Sequence, residues 1–349
     1  MAESKKLLEV EHLRQDFPVA GKRGKFVHAV DDVSFFIREG ETFGLVGESG
    51  CGKSTVARAI VRLYRPTAGR ILLDGQDITT LSEKAMRPIR KKVQMVFQDP
   101  YSSLNGRITI QEILAEPLIA QRTGLSRAEM LERAREALRR VNLSENYLRR
   151  YPHEFSGGQR QRICIARALM VNPRLLICDE AISALDVSIQ AQVVNMLADF
   201  QQELGLTYLF IAHDLSMVRH VSHRVGVMYL GHLMEVCESE EIYRHPLHPY
   251  TQGLLASVPV ADPRTAQTRQ TPALEGEVPS PLNPPKGCPF HTRCPHAKAI
   301  CREQMPQMHD AGGGHLVCCH LAAGGSSHQA GRCRLRSSGN ALLPARVFL

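Results

Sequence analysis

The sequence predicts an α/β protein whose core is a largely parallel β-sheet with helices on both faces. The first observation behind this is that strand-like apolar runs alternate with helical patterns, as parallel strands joined by crossover helices require. These runs are residues 70–75, 91–97, 174–179 and 206–212. The second is that residues 41–65 form an apolar strand pattern, a Gly-rich turn and a helical pattern. A length of 349 residues fits one large domain with an appendage, or two domains.

Several other elements are predicted by local patterns. After the Gly-rich turn, one helix face is expected to carry Val56, Ile60 and Leu63. Ser126 with Glu129 three residues later predicts a capping box at the start of a second helix. Its buried face is expected to contain Leu131, Ala134, Leu138 and Val141. Residues 224–237 instead predict a β-hairpin around Gly231.

Composition excludes several classes of protein. Apolar residues make up 43% and charged residues 22%, as in ordinary globular proteins. No run approaches the roughly 18 to 20 apolar residues that span a bilayer, and residues 1–17 lack the apolar core of a signal peptide. Half of the +8 net charge comes from four arginines in the acid-free, Gly/Ser-rich stretch 311–349, which favours a solvated tail over a nucleic-acid surface. We expect a cytosolic protein, or one attached to a membrane only through partners.

Residues 47–54, GESGCGKS, match the phosphate-binding pattern G-x-x-x-x-G-K-[ST] between a strand and a helix. We call them the phosphate loop. Its glycines let successive backbone N–H groups face the phosphates at a helix N-terminus. Lys53 would supply a cation to the β- and γ-phosphates, Ser54 a hydroxyl to Mg²⁺, and Thr55 a contact to the α-phosphate. An ordinary glycine turn is the alternative, which the Lys-Ser pair after a strand disfavours. The loop therefore predicts ATP and Mg²⁺ as ligands.

An acidic strand end follows about 125 residues later, in LLICDE at 175–180. Asp179 can hold Mg²⁺ through water, and Glu180 can orient or deprotonate the attacking water. Many strands end in Asp, so this signal gains its weight from the phosphate loop before it.

Between the two motifs stands the signature segment, residues 155–169, FSGGQRQRICIARAL. With it the chain resembles the ATP-binding subunits of ABC transporters, whose elements appear here in the family's order. The others are Gln98 in VFQDP, the SALD segment 183–186, and His213 in IAHD. The resemblance covers roughly residues 10–255.

This resemblance implies a phosphate-loop ATPase fold with an antiparallel β subdomain and a helical insertion at about 99–163. It also implies that two subunits face head to tail around two ATP molecules. One subunit's signature segment would then contact the γ-phosphate held by the other's phosphate loop. Glu180, His213 and Gln98 are the implied catalytic residues, with Gln98 also near Mg²⁺ beside Ser54 and Asp179. The implied nucleotide-contacting residues are Phe17, Gly47, Glu48, Ser49, Gly50, Cys51, Gly52, Lys53, Ser54, Thr55, Ser156, Gly157, Gly158, Gln159 and Asp186.

The chain departs from the family pattern at a few positions. Phe155 replaces the usual Leu, and Ala181 replaces a Pro, which frees a turn without removing a functional group. The adenine-stacking aromatic is commonly Tyr; here Phe17 is assigned, with Phe26 as its rival, because stacking needs only a flat ring face. We expect an active ATPase.

A finer resemblance is to the oligopeptide/dipeptide importer branch. It rests on QDPYSSLN at 98–105, HPLHPYTQGLLASVP at 245–259, and the Cys-containing segment 276–301. It implies an ATPase at the cytoplasmic side of the inner membrane, with two transmembrane permease subunits, a second paralogous ATPase and an extracytoplasmic peptide-binding protein. Glutathione and metal chelates remain open as related cargoes. A composition break after Pro259 predicts three regions: an ABC domain at 1–258, a Pro-rich linker and Cys-rich module at 259–323, and a low-complexity tail at 324–349.

Six of the ten cysteines lie after residue 287, and the other four are expected to be buried or incidental. Cys288, Cys294, Cys301 and then Cys319 (or Cys318) have a spacing compatible with four thiolate ligands. Thiolates suit a [4Fe–4S] cluster, our first expectation, or Zn²⁺, our second. Apolar packing of the thiols and, less favoured, disulfide bonds are the alternatives. The family pattern favours Cys319 over Cys318. Zinc could also use histidines, although we expect these to be surface residues: His291, His296, His315 and His320.

Two rival functions remain open from the sequence. A soluble ABC ATPase acting on nucleic acid or the ribosome usually carries two ATPase modules or large insertions, whereas one module is seen here. Salt-sensitive binding to DNA or RNA would favour it. An exporter or lipid-transporter ATPase would lack a peptide-binding protein among its partners.

Overall fold

Residues 5–21, 24–183, 185–257, 274 and 276–322 are described by a computed structural model, and they form two β-sheets with helices packed on them. The strands are β1 (Lys6–Pro18), β2 (Phe26–Arg38), β3 (Thr42–Val46), β4 (Ala68–Leu73), β5 (Gln76–Asp77), β6 (Val93–Val96), β7 (Leu175–Asp179), β8 (Thr207–Ala212), β9 (Arg224–Tyr229), β10 (His232–Glu238), β11 (His309–Asp310) and β12 (Leu316–Val317). The helices are α1 (Lys53–Ile60), α2 (Glu83–Lys92), α3 (Pro100–Ser103), α4 (Ile110–Ala120), α5 (Arg127–Arg140), α6 (Gly157–Leu169), α7 (Val187–Leu204), α8 (Leu215–Val221), α9 (Ser239–Arg244), α10 (Pro249–Ala256) and α11 (Ala299–Glu303).

The larger sheet has the order β11-β12-β10-β9-β3-β8-β7-β6. Its five strands from β9 to β6 run parallel. Strands β3, β7 and β8 are buried at every residue, as expected for parallel strands covered on both faces. The predicted hairpin is confirmed, with β9 and β10 antiparallel and Gly231 at a φ of +83° between them.

The smaller sheet is antiparallel, in the order β2-β1-β4-β5. The pairing of β1 with β2 is interrupted by register shifts, which bend the two 13-residue strands. Side chains from its buried face join those of α1 in one apolar cluster, which includes Leu8, Val33, Ile37, Val56 and Ile60. The sheet therefore braces the helix that follows the phosphate loop. The α/β fold class with an antiparallel subdomain is confirmed.

Helices α3 to α6 form the insertion between β6 and β7. The Ser126–Glu129 capping box starts α5 as predicted, and Ala134, Leu138 and Val141 are buried. The expected place of Leu63 on the face of α1 is wrong. That helix ends at Ile60, the chain turns through Arg62 at a φ of +60°, and Leu63 is 55% exposed. None of the described helices has the length and apolar character needed to cross a membrane.

The C-terminal module, whose described part is 276–322, adds β12 and β11 to the edge of the large sheet. The expectation that His315 is a surface residue is wrong. Its Nε2 lies 2.6 Å from Oε1 of Glu235 on β10, and both residues are buried. Glu235 also accepts hydrogen bonds from the backbone N–H groups of Leu247 and His248. A buried carboxylate needs such donors, and one of them comes from the module.

Candidate functional site

The phosphate loop joins the carboxyl end of β3 to α1, and its conformation requires glycine at two positions. Gly47 and Gly52 have φ angles of +152° and +106°. A Cβ at either would lie 2.2 Å from a backbone oxygen, that of Met228 for Gly47 and that of Ala29 for Gly52. The backbone of neighbouring segments therefore packs closely against the loop at Gly47 and Gly52, and this packing holds the loop curled around the lysine.

Lys53 is 3% exposed, and its ammonium lies inside this curl. Its Nζ donates to the carbonyl oxygens of Gly47 and Glu48, at 2.7 and 3.0 Å. Cys51, a buried neighbour, has its Sγ 3.7 Å from the same nitrogen. These contacts hold the ammonium within the loop, where the predicted phosphate contact would be made.

Ser54 and Asp179, predicted for the Mg²⁺ site from motifs 125 residues apart, are brought together. The Ser54 hydroxyl donates to Oδ1 of Asp179 at 2.7 Å. Asp179 ends β7 and is 1% exposed; burial raises the pKa of its carboxyl, against the hydrogen bond from Ser54. A hydroxyl and a carboxylate are hard oxygen ligands suited to Mg²⁺, so these residues fit that ion.

The implied catalytic residues follow the carboxyl ends of neighbouring parallel strands, where α/β proteins place their ligand sites. Gln98 follows β6 and donates from Nε2 to Oε2 of Glu180 at 2.6 Å. Glu180 follows β7 with a φ of +47°, a conformation that costs a non-glycine residue energy and is typical of functional sites. His213 follows β8 and is exposed. All three lie at the sheet edge that carries the phosphate loop.

The signature segment lies elsewhere on the surface. Ser156 is the N-cap of α6, and its hydroxyl accepts from the N–H of Gln159, whose side chain accepts from the Ser156 N–H. Ser156, Gly157, Gly158, Gln159 and Asp186 line one open groove of about 650 Å³. Residues 47–55 do not line this groove. Within one chain the described signature segment and phosphate loop are thus separate surfaces.

The two candidates for adenine stacking lie on paired strands, where Pro18 is opposite Phe26 and Phe17 is opposite Val27. Phe17 is half-buried and meets Tyr64 edge to face at 5.1 Å. Phe26 is 45% exposed. Phe17 remains the assignment, and Phe26 its rival.

Four cysteines of the C-terminal module line one small pocket of about 10 Å³: Cys288, Cys294, Cys301 and Cys319. We call it the cysteine pocket, and His291, His296 and His320 also line it. Cys318 points away, to the carbonyl oxygen of Pro306. In the described part of the chain the cysteines are free thiols. No group of three or more His, Cys, Asp or Glu side chains in that part is arranged so that it could hold a metal ion. Cys333 and the tail 324–349 lie outside the described residues. The four scattered cysteines 51, 164, 178 and 237 are buried, as expected.

One contact of the site was missed by the sequence analysis. Arg293, between two cysteines of the pocket, forms an ion pair with Glu48 of the phosphate loop. The two residues are 245 positions apart, and neither belongs to a pattern that signals the other.

The chain matches two family models. The model described as "ABC transporter" matches residues 30–183, and the one described as "Oligopeptide/dipeptide transporter, C-terminal region" matches residues 234–301. Among curated proteins, the oligopeptide transport ATP-binding protein AppF of Bacillus subtilis is 55% identical over 327 residues, 92% of this chain and 98% of the relative. The putative oligopeptide transport ATP-binding protein YkfD of the same organism is 55% identical over 90% of this chain and 95% of the relative.

Solved structures show the same fold. The dimeric ATP-binding cassette MJ0796, in a post-hydrolysis state bound to ADP and Pi, superposes with a TM-score of 0.61 at 29% identity. The match covers 66% of this chain and 98% of that one.

Proposed function

This chain is a member of the oligopeptide-transport branch of ABC transporter ATP-binding proteins, an ATPase family, and from that premise we propose that it drives uptake of di- or oligopeptides through a membrane permease. The observation that carries the proposal is the pairing of Ser54 with Asp179 and of Gln98 with Glu180 at the edge that holds the phosphate loop. The same chain thus contains the metal-binding and water-activating groups of an ATPase and a C-terminal region of the peptide-transporter type.

The positions of these residues support ATP hydrolysis at this site. Lys53 and the loop N–H groups bind the β- and γ-phosphates, and Ser54 and Asp179 would hold Mg²⁺, which neutralises developing charge on the phosphates when bound. Gln98 holds the Glu180 carboxylate, which takes a proton from the attacking water. His213, exposed after β8, contacts the γ-phosphate.

The nucleotide site is completed by a second ATPase subunit. The groove lined by the signature segment is separate from the phosphate loop of its own chain, so the Ser156 hydroxyl and the N-terminus of α6 serve the ATP bound by the partner. Two permease subunits, a paralogous ATPase and a peptide-binding protein make up the complex, with this chain peripheral at the cytoplasmic side of the inner membrane.

The cysteine pocket is proposed to hold a [4Fe–4S] cluster, with Zn²⁺ as the second choice. Its lining includes four soft thiol donors, those of Cys288, Cys294, Cys301 and Cys319, whereas the Cys318 thiol donates to the carbonyl oxygen of Pro306. Anaerobic purification with iron and zinc measured per chain tests this. Cys294→Ser should lower the metal content while Cys318→Ser retains it; a metal-free wild-type chain would refute the proposal.

The transport proposal is tested in the assembled complex reconstituted in liposomes. We expect Mg²⁺-dependent ATPase activity and ATP-driven peptide uptake, both lost in Lys53→Ala and Glu180→Gln. Full activity in either variant would refute the residue roles. Nucleic-acid binding without peptide uptake would refute the transport function.

A further inference from the structure

The C-terminal module contacts the phosphate loop through an ion pair. Arg293 binds the Glu48 carboxylate through both arms of its guanidinium, with Nη1 2.7 Å from Oε2 and Nη2 3.1 Å from Oε1. The Arg293 side chain is 5% exposed and that of Glu48 26%. A bidentate pair this well buried fixes geometry as well as charge.

The backbone of the same loop residue is held by a second distant group. The Glu48 N–H donates to the hydroxyl of Tyr250 on α10 at 3.0 Å. Tyr250 is fully buried, and its ring packs on Tyr229 at 4.7 Å and on Phe290 of the module at 5.3 Å. Side chain and backbone of one loop residue are thus both fixed by segments more than 200 positions later.

Glu48 places a carboxylate in a loop whose task is to bind a triphosphate. An uncompensated negative charge there would repel the ligand, and the Arg293 guanidinium cancels it. The Glu48 carbonyl also accepts from Lys53 Nζ, so the held residue directly orients the lysine that faces the phosphates.

The geometry points to a role for Arg293 as a positioning residue of the ATP site: it holds and neutralises Glu48, so that the loop and Lys53 keep the shape and charge that ATP requires. This inference rests on the proposed function, because it assumes that the phosphate loop binds ATP. It makes the C-terminal module part of the nucleotide site.

Local structure explains why Arg293 can do this. It sits on a tight turn in which its own N–H donates to the Phe290 carbonyl and the His291 N–H donates to that of Cys288. The turn begins and ends beside Cys288 and Cys294 of the cysteine pocket. A short turn carrying a buried side chain leaves the guanidinium little freedom to leave Glu48.

ATP binding to the purified full chain tests the inference, with ATP itself as the probe in isothermal titration. We expect Arg293→Ala to weaken ATP binding about tenfold. Arg293→Lys should lose less, because it keeps the charge but not the bidentate fork. The double variant E48Q/R293A should regain most of the lost affinity, because no uncompensated carboxylate remains. Arg302→Ala, an exposed arginine of the same module, is the matched control and should bind as wild type.

Two results would overturn the inference. One is ATP binding by Arg293→Ala at wild-type affinity. The other is an equal loss in Arg293→Ala and E48Q/R293A, which would mean that Arg293 only supports folding of the module. If Arg293→Ala does not fold, ATP affinity is compared between Arg293→Lys and Glu48→Gln instead. Weaker binding by Arg293→Lys than by Glu48→Gln supports the inference, and an equal loss in both overturns it. In the assembled transporter, Arg293→Lys should raise the KM for ATP and leave kcat nearly unchanged. A wild-type chain that does not bind ATP would instead refute the proposed function.

Discussion

Two serines of this chain cap helices in the same way but are predicted to differ in function. Ser156 begins α6 in the signature segment, and Ser126 begins α5 in the helical insertion. Each hydroxyl accepts from the N–H three residues later, at 3.4 Å for Ser156 and 3.3 Å for Ser126. Both are exposed members of capping boxes, so Ser126→Ala is a matched control for Ser156→Ala.

The loss of stability should be similar in the two variants. Removing a serine N-cap costs about 1 kcal/mol, which lowers the melting temperature of a domain of this size by about 2 to 4 °C. The functional effects should differ. Ser156→Ala removes the hydroxyl that we propose contacts the γ-phosphate bound by the partner subunit, and we expect ATPase activity to fall by roughly ten- to a hundredfold. Ser126→Ala lies away from any nucleotide contact and should keep its activity.

The assay combines thermal melting of each full-length variant with steady-state ATPase activity of the assembled transporter. Equal melting shifts with unequal activity would separate capping from transition-state contact. The reasoning would be refuted if Ser156→Ala hydrolysed ATP like Ser126→Ala, or if both lost activity in proportion to their lost stability.

Other predictions concern the nucleotide site itself. Lys53→Ala should abolish ATP binding, measured by titration, because the loop loses its central cation; unchanged affinity would contradict this. Glu180→Gln should bind ATP normally and fail to hydrolyse it, so single-turnover phosphate release at the wild-type rate would exclude Glu180 as the base. Gly47→Ala forces a Cβ to within 2.2 Å of a backbone oxygen and should lose ATP binding, whereas Gly106→Ala, which faces open space, should not. Burial raises the pKa of Asp179, so acidification protonates it at a higher pH than an exposed Asp. The Mg²⁺ concentration for half-maximal ATPase activity should therefore rise as acidification protonates Asp179, and a requirement that does not change with pH would contradict this.

The parallel core and the main site were accessible to sequence analysis for a physical reason. Strands buried on both faces leave continuous apolar runs, and the carboxyl ends of parallel strands meet at one edge. Motifs that follow such runs therefore converge, as Ser54 and Asp179 do at 2.7 Å. The phosphate loop was equally predictable from the sequence, because its backbone conformation allows only glycine at positions 47 and 52.

The contacts of the C-terminal module could not be predicted in this way. Strands β11 and β12 have two residues each, too few for an alternating pattern to appear. Burial of His315 depends on the buried Glu235 carboxylate, 80 positions earlier, which needs its hydrogen bond. The pair of Arg293 with Glu48 likewise arises only from tertiary packing, because charged residues carry no periodic signal.

ATP-driven closure of two subunits is the central claim, and light scattering measures it directly. The Glu180→Gln chain is mixed with the proposed paralogous ATPase subunit, with Mg²⁺ and either ATP or ADP. The account predicts a heterodimer with ATP, none with ADP, and none with ATP when Ser156→Ala is added. A mass that stays monomeric with ATP would contradict the claim.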